Sequence, residues 1–208
     1  MENEMIYEFR TYDILPGTLD KFGSKTAEKI SKRIEYSDLA AFWYSDIGPL
    51  NQVIHVWPYE NLEHRREIRS QVVSDGIWPP DNNEVLIRMQ SDIMIPAPFM
   101  DGMVTGSIGP VFEIRTYLYR PGEIPKVLDA WENAIETRKK YSSLVGCWYS
   151  DIGELNKLIH IWAYSSLEER SKIRSEVVER GVWPPKSGIS PTSQENKIVL
   201  PFEFSPIR

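Results

Sequence analysis

Trp43-Tyr44-Ser45-Asp46-Ile47-Gly48-Pro49-Leu50-Asn51-Gln52-Val53-Ile54-His55-Val56-Trp57 is answered later in the chain by Trp148-Tyr149-Ser150-Asp151-Ile152-Gly153-Glu154-Leu155-Asn156-Lys157-Leu158-Ile159-His160-Ile161-Trp162, an offset of 148 − 43 = 105. Each copy reads as a β-hairpin: a strand through Ala41 to Ser45, a turn over Asp46 to Asn51, and a strand from Val53 to Tyr59. The offset extends outward. Tyr7-Glu8-Phe9-Arg10-Thr11-Tyr12 matches Phe112-Glu113-Ile114-Arg115-Thr116-Tyr117, Pro16-Gly17 matches Pro121-Gly122, and Trp78-Pro79-Pro80 matches Trp183-Pro184-Pro185. Ile93-Met94-Ile95-Pro96 pairs with Ile198-Val199-Leu200-Pro201, with no insertion between Tyr7 and Phe99. The chain is a tandem duplication, each unit large enough for a core of its own.

Within one unit, Ile6 to Tyr12 alternates as a strand. Pro16-Gly17 turns into a helix running to about Tyr36, with apolar residues at Leu19, Phe22, Ala27, Ile30 and Ile34. The hairpin follows. A second helix starts near Asn61 or Ser166, where Ser166 and Glu169 form a capping box, and stops near Gly76 or Gly181. The last strand lies near Ser91 to Ile95, with Val85 to Met89 a short strand or an extension. The order β-α-β-β-α-β is the ferredoxin-like split unit, whose helices cover one face of a four-stranded antiparallel sheet. The bare face needs a cover. Two units in one chain supply it by packing sheet to sheet as an intrachain α/β barrel, an α+β fold. The predicted divisions are 1–99 for the first repeat, 100–110 for a Gly/Pro linker and 111–208 for the second repeat.

Composition bounds the function classes. The 208 residues are 41% hydrophobic and 26% charged, with a net charge of −6. That argues against a nucleic-acid partner, which would need a basic footprint. No apolar run approaches the ~18 residues of a membrane span. The N-terminal Met1-Glu2-Asn3-Glu4 is neither a signal nor a transit peptide, and the single cysteine, Cys147, fits a reducing compartment, so the expected location is cytoplasmic. Gly-rich phosphate loops, Cys-x-x-Cys, His-Glu-x-x-His and Gly-x-Ser-x-Gly are missing from the sequence, which removes nucleotide hydrolysis, zinc and serine-hydrolase chemistry.

Tyr-Glu-Phe-Arg-Thr-Tyr followed by Pro-Gly, Ser-Asp-Ile-Gly-x-Leu-Asn, Ile-His-Val-Trp-x-Tyr-x-x-Leu-x-x-Arg and Gln90-Ser91-Asp92-Ile93-Met94-Ile95-Pro96 together resemble the NIPSNAP family of the dimeric α/β-barrel superfamily. The resemblance covers nearly the whole chain and both halves. It implies the barrel, and two-unit members are known, some of them mitochondrial in eukaryotes. It implies no settled activity. Superfamily relatives include cofactor-independent monooxygenases, haem enzymes and small isomerases.

Polarity suggests which strand faces carry chemistry. Tyr7, Phe9, Ile54 and Val56 suit a helix-packed core. Glu8, Arg10, Tyr12, His55, Trp57 and Tyr59, each identical in the second copy, are expected to face the barrel interior or its rim. His55 and His160 are candidate general bases, and haem is the one cofactor they could ligate; no cofactor or metal is expected. Glu8 and Glu113 could move a proton. Arg10 and Arg115 could hold a carboxylate, or Glu8 and Arg10 could simply form an ion pair. Tyr12, Tyr117, Trp57, Trp162, Tyr59 and Tyr164 could wall a pocket for a flat ligand, or could only pack. Arg65/Arg170 and Arg69/Arg174 lie four apart and should pair with Glu63, Glu67 and their counterparts. Trp78-Pro79-Pro80 and Trp183-Pro184-Pro185 would cap the barrel mouth or dock on the partner unit, or serve, as the favoured reading, as anchored structural loops, and Cys147 reads as a small buried residue.

The expected function is binding of a small apolar or aromatic molecule in the barrel, with an oxygenase or isomerase as the enzymatic form. The alternative is an interaction or scaffold protein whose polar-aromatic face only joins the sheets. Exposed sheet edges leave a route to homo-oligomers.

Overall fold

Both hairpins turn where the motif places them, because its glycine and asparagine can enter the left-handed region. Gly48 and Gly153 lie at φ 110° and 118°, and Asn51 and Asn156 at φ 56°. The computed structural model describes residues 5–208. The elements run β1 Ile6–Ile14, α1 Leu19–Arg33, β2 Ala41–Ile47, β3 Gln52–Tyr59, α2 Leu62–Ser74 and β4 Leu86–Pro96, then β5 Val111–Leu118, α3 Ile124–Lys139, β6 Ser143–Ile152, β7 Lys157–Tyr164, α4 Leu167–Glu179 and β8 Ser193–Pro201. The order is the expected one. Helix α1 closes earlier than Tyr36, at an Ile34 C-cap, and β4 absorbs most of the ambiguous 85–89 segment. At α4, Ser166 accepts from Glu169 N at 3.0 Å, while Glu169 reaches back one residue past the cap to Ser165 N at 2.6 Å.

The two sheets are one. Strands run β1-β3-β2-β8-β5-β7-β6-β4 around a closed barrel, sealed between the repeats by the antiparallel β2–β8 and β4–β6 ladders. Closure pairs Ile93–Pro96 of β4 and Ile198–Pro201 of β8 across the repeats, while Leu86–Asp92 and Ser193–Lys197 carry a ladder on one side only, so part of the edge expected from sequence remains. Each repeat also lends its tail to the other. Ala97, Phe99 and Met100 join the helix layer of the second repeat, and Phe202 and Phe204 join that of the first. The 100–110 segment is more than a tether. Met103 and Ile108 pack against the barrel core, Tyr7 OH accepts from Met103 N at 3.2 Å, and Gly106 bridges to Ile207.

The two faces of the strands are the reverse of the expectation. Tyr7, Phe9, Trp43, Ile54 and Val56 meet Phe112, Ile114, Trp148 and Ile161 inside the barrel. The rings of Tyr7 and Trp148, and of Trp43 and Phe112, lie with centroids 5.4 Å apart across the repeats. Eight strands enclose just enough space for side chains to fill, and nothing polar there would find water. The wholly apolar face therefore goes inside. The polar-aromatic face turns outward beneath the helices, where helix-borne arginines and the helix edges supply partners. A ligand in the barrel interior and a sheet-joining role for Glu8, Arg10, Tyr12, His55, Trp57 and Tyr59 are both ruled out by this packing.

Candidate functional site

Each repeat carries a charged-aromatic layer between its sheet and its helices. Glu8 on β1 is fully buried. Its Oε1 accepts from Arg10 Nη1 at 3.0 Å, Arg65 Nη2 at 2.6 Å and Ser91 Oγ at 2.6 Å, and Arg69 Nη1 stands 3.8 Å from Oε2. The second repeat repeats this with Glu113, Arg115 at 2.8 Å, Arg170 at 2.5 Å and Arg174 at 3.6 Å. Arg65 and Arg69 thus fasten α2 to the sheet rather than pairing with acids of their own helix; Arg66 takes Glu63. Burial alone would raise the Glu8 carboxyl, but the Arg65 hydrogen bond, the Arg10 charge, the Ser91 hydroxyl and Arg69 outweigh it and hold it down to about 2. Glu113 is lowered by its own arginines against the same burial. Both stay ionised at neutral pH, so neither is poised to move a proton.

His55 on β3 is 1% exposed, and its Nδ1 accepts from Trp57 Nε1 at 2.5 Å. That bond fixes the tautomer: the proton sits on Nε2, which is buried with no partner among the described residues. Burial, then the charge of Arg10, pushes the imidazole well below its ordinary range, against the pull of Glu8. His160 is held the same way by Trp162 at 2.8 Å. The general-base role expected for these histidines needs the opposite tautomer, so what they offer is a neutral N–H donor. Haem ligation through Nε2 meets the same conflict. The cavity beside His55 is also too small for a porphyrin, so the residues do not fit one.

Neither Arg33, from the last turn of α1, nor Arg138, from the last turn of α3, was singled out as a site residue in the sequence. Both are 2% exposed. Arg33 donates to Tyr59 OH at 3.1 Å and Ser37 Oγ at 2.9 Å, and its Cζ lies 4.1 Å over the Trp57 ring. Arg138 does the same with Tyr164, Ser142 and Trp162. An arginine and a serine kept at the 105 offset were the available signal. Tyr12 OH accepts from Arg10 Nε at 2.6 Å, and Tyr117 from Arg115 at 2.7 Å. Trp78 packs its edge on Trp57 at 5.9 Å, so the Trp-Pro-Pro loop lies over this layer and not at the barrel mouth.

In the first repeat the layer is open. A cleft of ≈ 200 Å³ is lined by Arg10, Arg33, His55, Trp57, Arg69 and Trp78, among others. A chamber of ≈ 90 Å³ shares Tyr12, His55, Trp78, Pro79 and Met89 with it and adds Phe22, Thr26, Phe42 and Asn82. Thr26 Oγ1 donates to Phe22 O at 2.8 Å and accepts from Asn82 Nδ2 at 3.2 Å. That network orients the amide and leaves Asn82 Oδ1 buried and without a partner among the described residues. The position matching Thr26 is Trp131. Its ring lies 4.7 Å from His160 and 4.6 Å from Trp183, filling the equivalent space, while Cys147 stands where Phe42 stacks on His55 at 4.7 Å. Cys147 is buried and its thiol is pushed up by that burial, as a packing residue would be. Thr26 and Asn82 were not anticipated.

Among the described residues no helix is long and apolar enough to cross a membrane. A family model described as NIPSNAP matches twice, over residues 7–101 and 112–206. The human protein NipSnap homolog 3B is 29% identical over 97% of this chain and 85% of its own length. The NipSnap homolog of Dictyostelium discoideum is 29% identical over 96% and 88%. Among solved structures, a Fusobacterium nucleatum protein matches 100% of both chains at a TM-score of 0.70 and 11% identity, and an anthrone oxidase-like protein matches 99% of this chain and 94% of its own at 0.60 and 10%. At those identities the likeness is one of fold.

Proposed function

This chain belongs to the NIPSNAP family, and we propose that it binds one small, flat, largely apolar molecule per chain, in the first repeat, between the outer face of the barrel wall and helices α1 and α2. One observation carries this. The Thr26 chamber is walled by aromatic rings and lined by His55 and Asn82, whose buried Nε2 donor and Oδ1 acceptor have no partner among the described residues. Each such group costs about 1–3 kcal/mol unless something meets it. The two make a complementary pair for a hydroxyl- or amide-bearing ligand. The cavities lie below the ~300–1,000 Å³ of drug-sized sites, which suits a small guest. The second repeat has the same frame with Trp131 in the space, which supports a single site. Binding is favoured over acid–base catalysis because the neutral His55 donor and the ionised Glu8 offer no base or acid near neutral pH.

The test uses phenol as a probe, titrated calorimetrically into the full chain. One site is expected in the wild type. Thr26→Trp should abolish binding, and Trp131→Thr/Ser187→Asn, which restores the space and the amide, should add a second site. Phenol binding that survives Thr26→Trp unchanged overturns the proposal.

A further inference from the structure

We infer that the guest is a carboxylate with a small hydroxyl-bearing aryl tail, its head seated between Arg10 and Arg69 and its tail in the Thr26 chamber, where the hydroxyl meets His55 Nε2 and Asn82 Oδ1. This rests on the pocket proposed above. The cleft is built with more cations than anions. Arg10, Arg33 and Arg69 line it, Arg65 stands behind them, and Glu8 is the one carboxylate with which any of them forms an ion pair among the described residues.

The Glu8 carboxylate is already taken on its Oε1 side by Arg10, Arg65 and Ser91. Arg69 stops at 3.8 Å from Oε2, beyond hydrogen-bond length, and its guanidinium has no acceptor among the described residues. Arg33 is nearly sealed from water, yet its partners are two hydroxyls and an indole face, all neutral. A desolvated cation calls for an anion, and a guanidinium fork matches a carboxylate in two parallel hydrogen bonds. The flat head fits a slot walled by the rings of Tyr12, Trp57 and Trp78.

The second repeat separates head from tail. It keeps Arg115, Arg138, Arg170 and Arg174 around Glu113, but Trp131 lies against His160. It therefore offers the cationic end without room for a tail. A tailed acid has one place to go, and the residue at position 26 decides it.

The experiment is calorimetric titration of the full chain, at low salt, with 4-hydroxyphenylacetate and with its neutral counterpart of the same shape, 4-hydroxyphenylacetamide. The 4-hydroxyphenylacetate anion is expected to bind at one site per chain, about ten- to hundredfold more tightly than the amide, from the gain of charge-assisted hydrogen bonds. Arg69→Gln should remove that preference, with a circular-dichroism melt confirming the fold, since Arg69 lies 38% exposed on α2. Thr26→Trp should abolish 4-hydroxyphenylacetate binding. An amide that binds as tightly as the acid, or an acid preference that survives Arg69→Gln, overturns the carboxylate inference and leaves the pocket standing. Binding of 4-hydroxyphenylacetate unchanged in Thr26→Trp overturns the pocket itself. Failure of the wild type to bind either probe overturns both.

Discussion

Replacing Glu8 with Gln tests the organisation of the charged layer directly. The side chain keeps its size and one acceptor, but Arg10, Arg65 and Arg69 lose the carboxylate they surround. The cost follows from the shift the native state imposes, from 4.5 to about 2. At about 1.4 kcal/mol per unit, ionised Glu8 contributes roughly 3 kcal/mol of stability at pH 7. The figure is an upper bound, because Arg65 and Arg69 keep part of their surface in water. It lies at the low end of the ~3–5 kcal/mol lost when a buried ion pair is broken on one side. The sign follows from the depressed value. The contribution is present in full above the unfolded-state value and disappears as pH falls through the folded one. Wild type and Glu8→Gln should therefore differ by roughly 3 kcal/mol at pH 7, by about 1.4 kcal/mol at pH 3, and converge below pH 2. Urea denaturation followed by tryptophan fluorescence measures this, and the melting temperature should fall by about 6–12 °C at pH 7. A loss under about 1 kcal/mol at pH 7, or a gap that does not narrow toward pH 3, would refute the inward clamp.

The buried histidines predict the opposite side of the acid range. His55 and His160 stay neutral when folded and take protons when unfolded, so their contribution to stability is flat above about pH 6.5 and falls below it, together by up to about 2.7 kcal/mol per unit; urea unfolding at pH 7 and 5.5, compared with His55→Gln/His160→Gln, should show the slope and its loss in the variant. At the seams of the barrel, Lys157 pairs with buried Asp92 at 3.1 Å, whereas Lys197, the match of Asp92, donates to neutral Gln52 at 2.8 Å. Lys157→Met should cost about 3–5 kcal/mol and Lys197→Met about 1–3 kcal/mol, and equal costs in denaturant unfolding would remove the distinction between the two seams.

The fold was legible because duplication makes register visible. A single Ser-Asp-Ile-Gly-x-Leu-Asn turn is weak, but two at a fixed offset, with every flanking strand in step, leave little choice of topology. The direction each face points was not legible. Polar residues on a strand suggest exposure or an aqueous pocket, and the sequence alone does not state that Arg65 and Arg69 reach down from α2 to meet Glu8. Their spacing suggested partners on their own helix, while the partner lay 57 residues away on β1. The exchange of tails, with Phe202 and Phe204 closing the first repeat's layer, is likewise set by barrel closure and by no local pattern.

The site itself was hidden for a related reason. Identity between the repeats drew attention to Glu8, Arg10, Tyr12, His55, Trp57 and Tyr59, and these do form the layer. Their sameness follows from a shared structural demand: every repeat must fasten two helices to its sheet, and one buried carboxylate among arginines with one Trp-capped histidine does so twice over. Repeats that share a frame can differ in task only where they differ in sequence. Thr26 against Trp131, Phe42 against Cys147 and Asn82 against Ser187 are such positions, and the first two gather on the histidine from opposite copies. The first copy stacks Phe42 on its imidazole and leaves space at Thr26, while the second withdraws to a thiol at Cys147 and fills the space with Trp131. Volume is thereby shifted within one layer without disturbing the frame, which is what packing at crystal-like density requires. The opening at Thr26 is thus one half of a compensated exchange: Thr26→Trp beside Phe42 should overpack the layer and cost about 1–3 kcal/mol, and Thr26→Trp/Phe42→Cys, which copies the second repeat, should recover part of that loss with the pocket still closed, a comparison that urea unfolding and phenol titration on the two variants can make together.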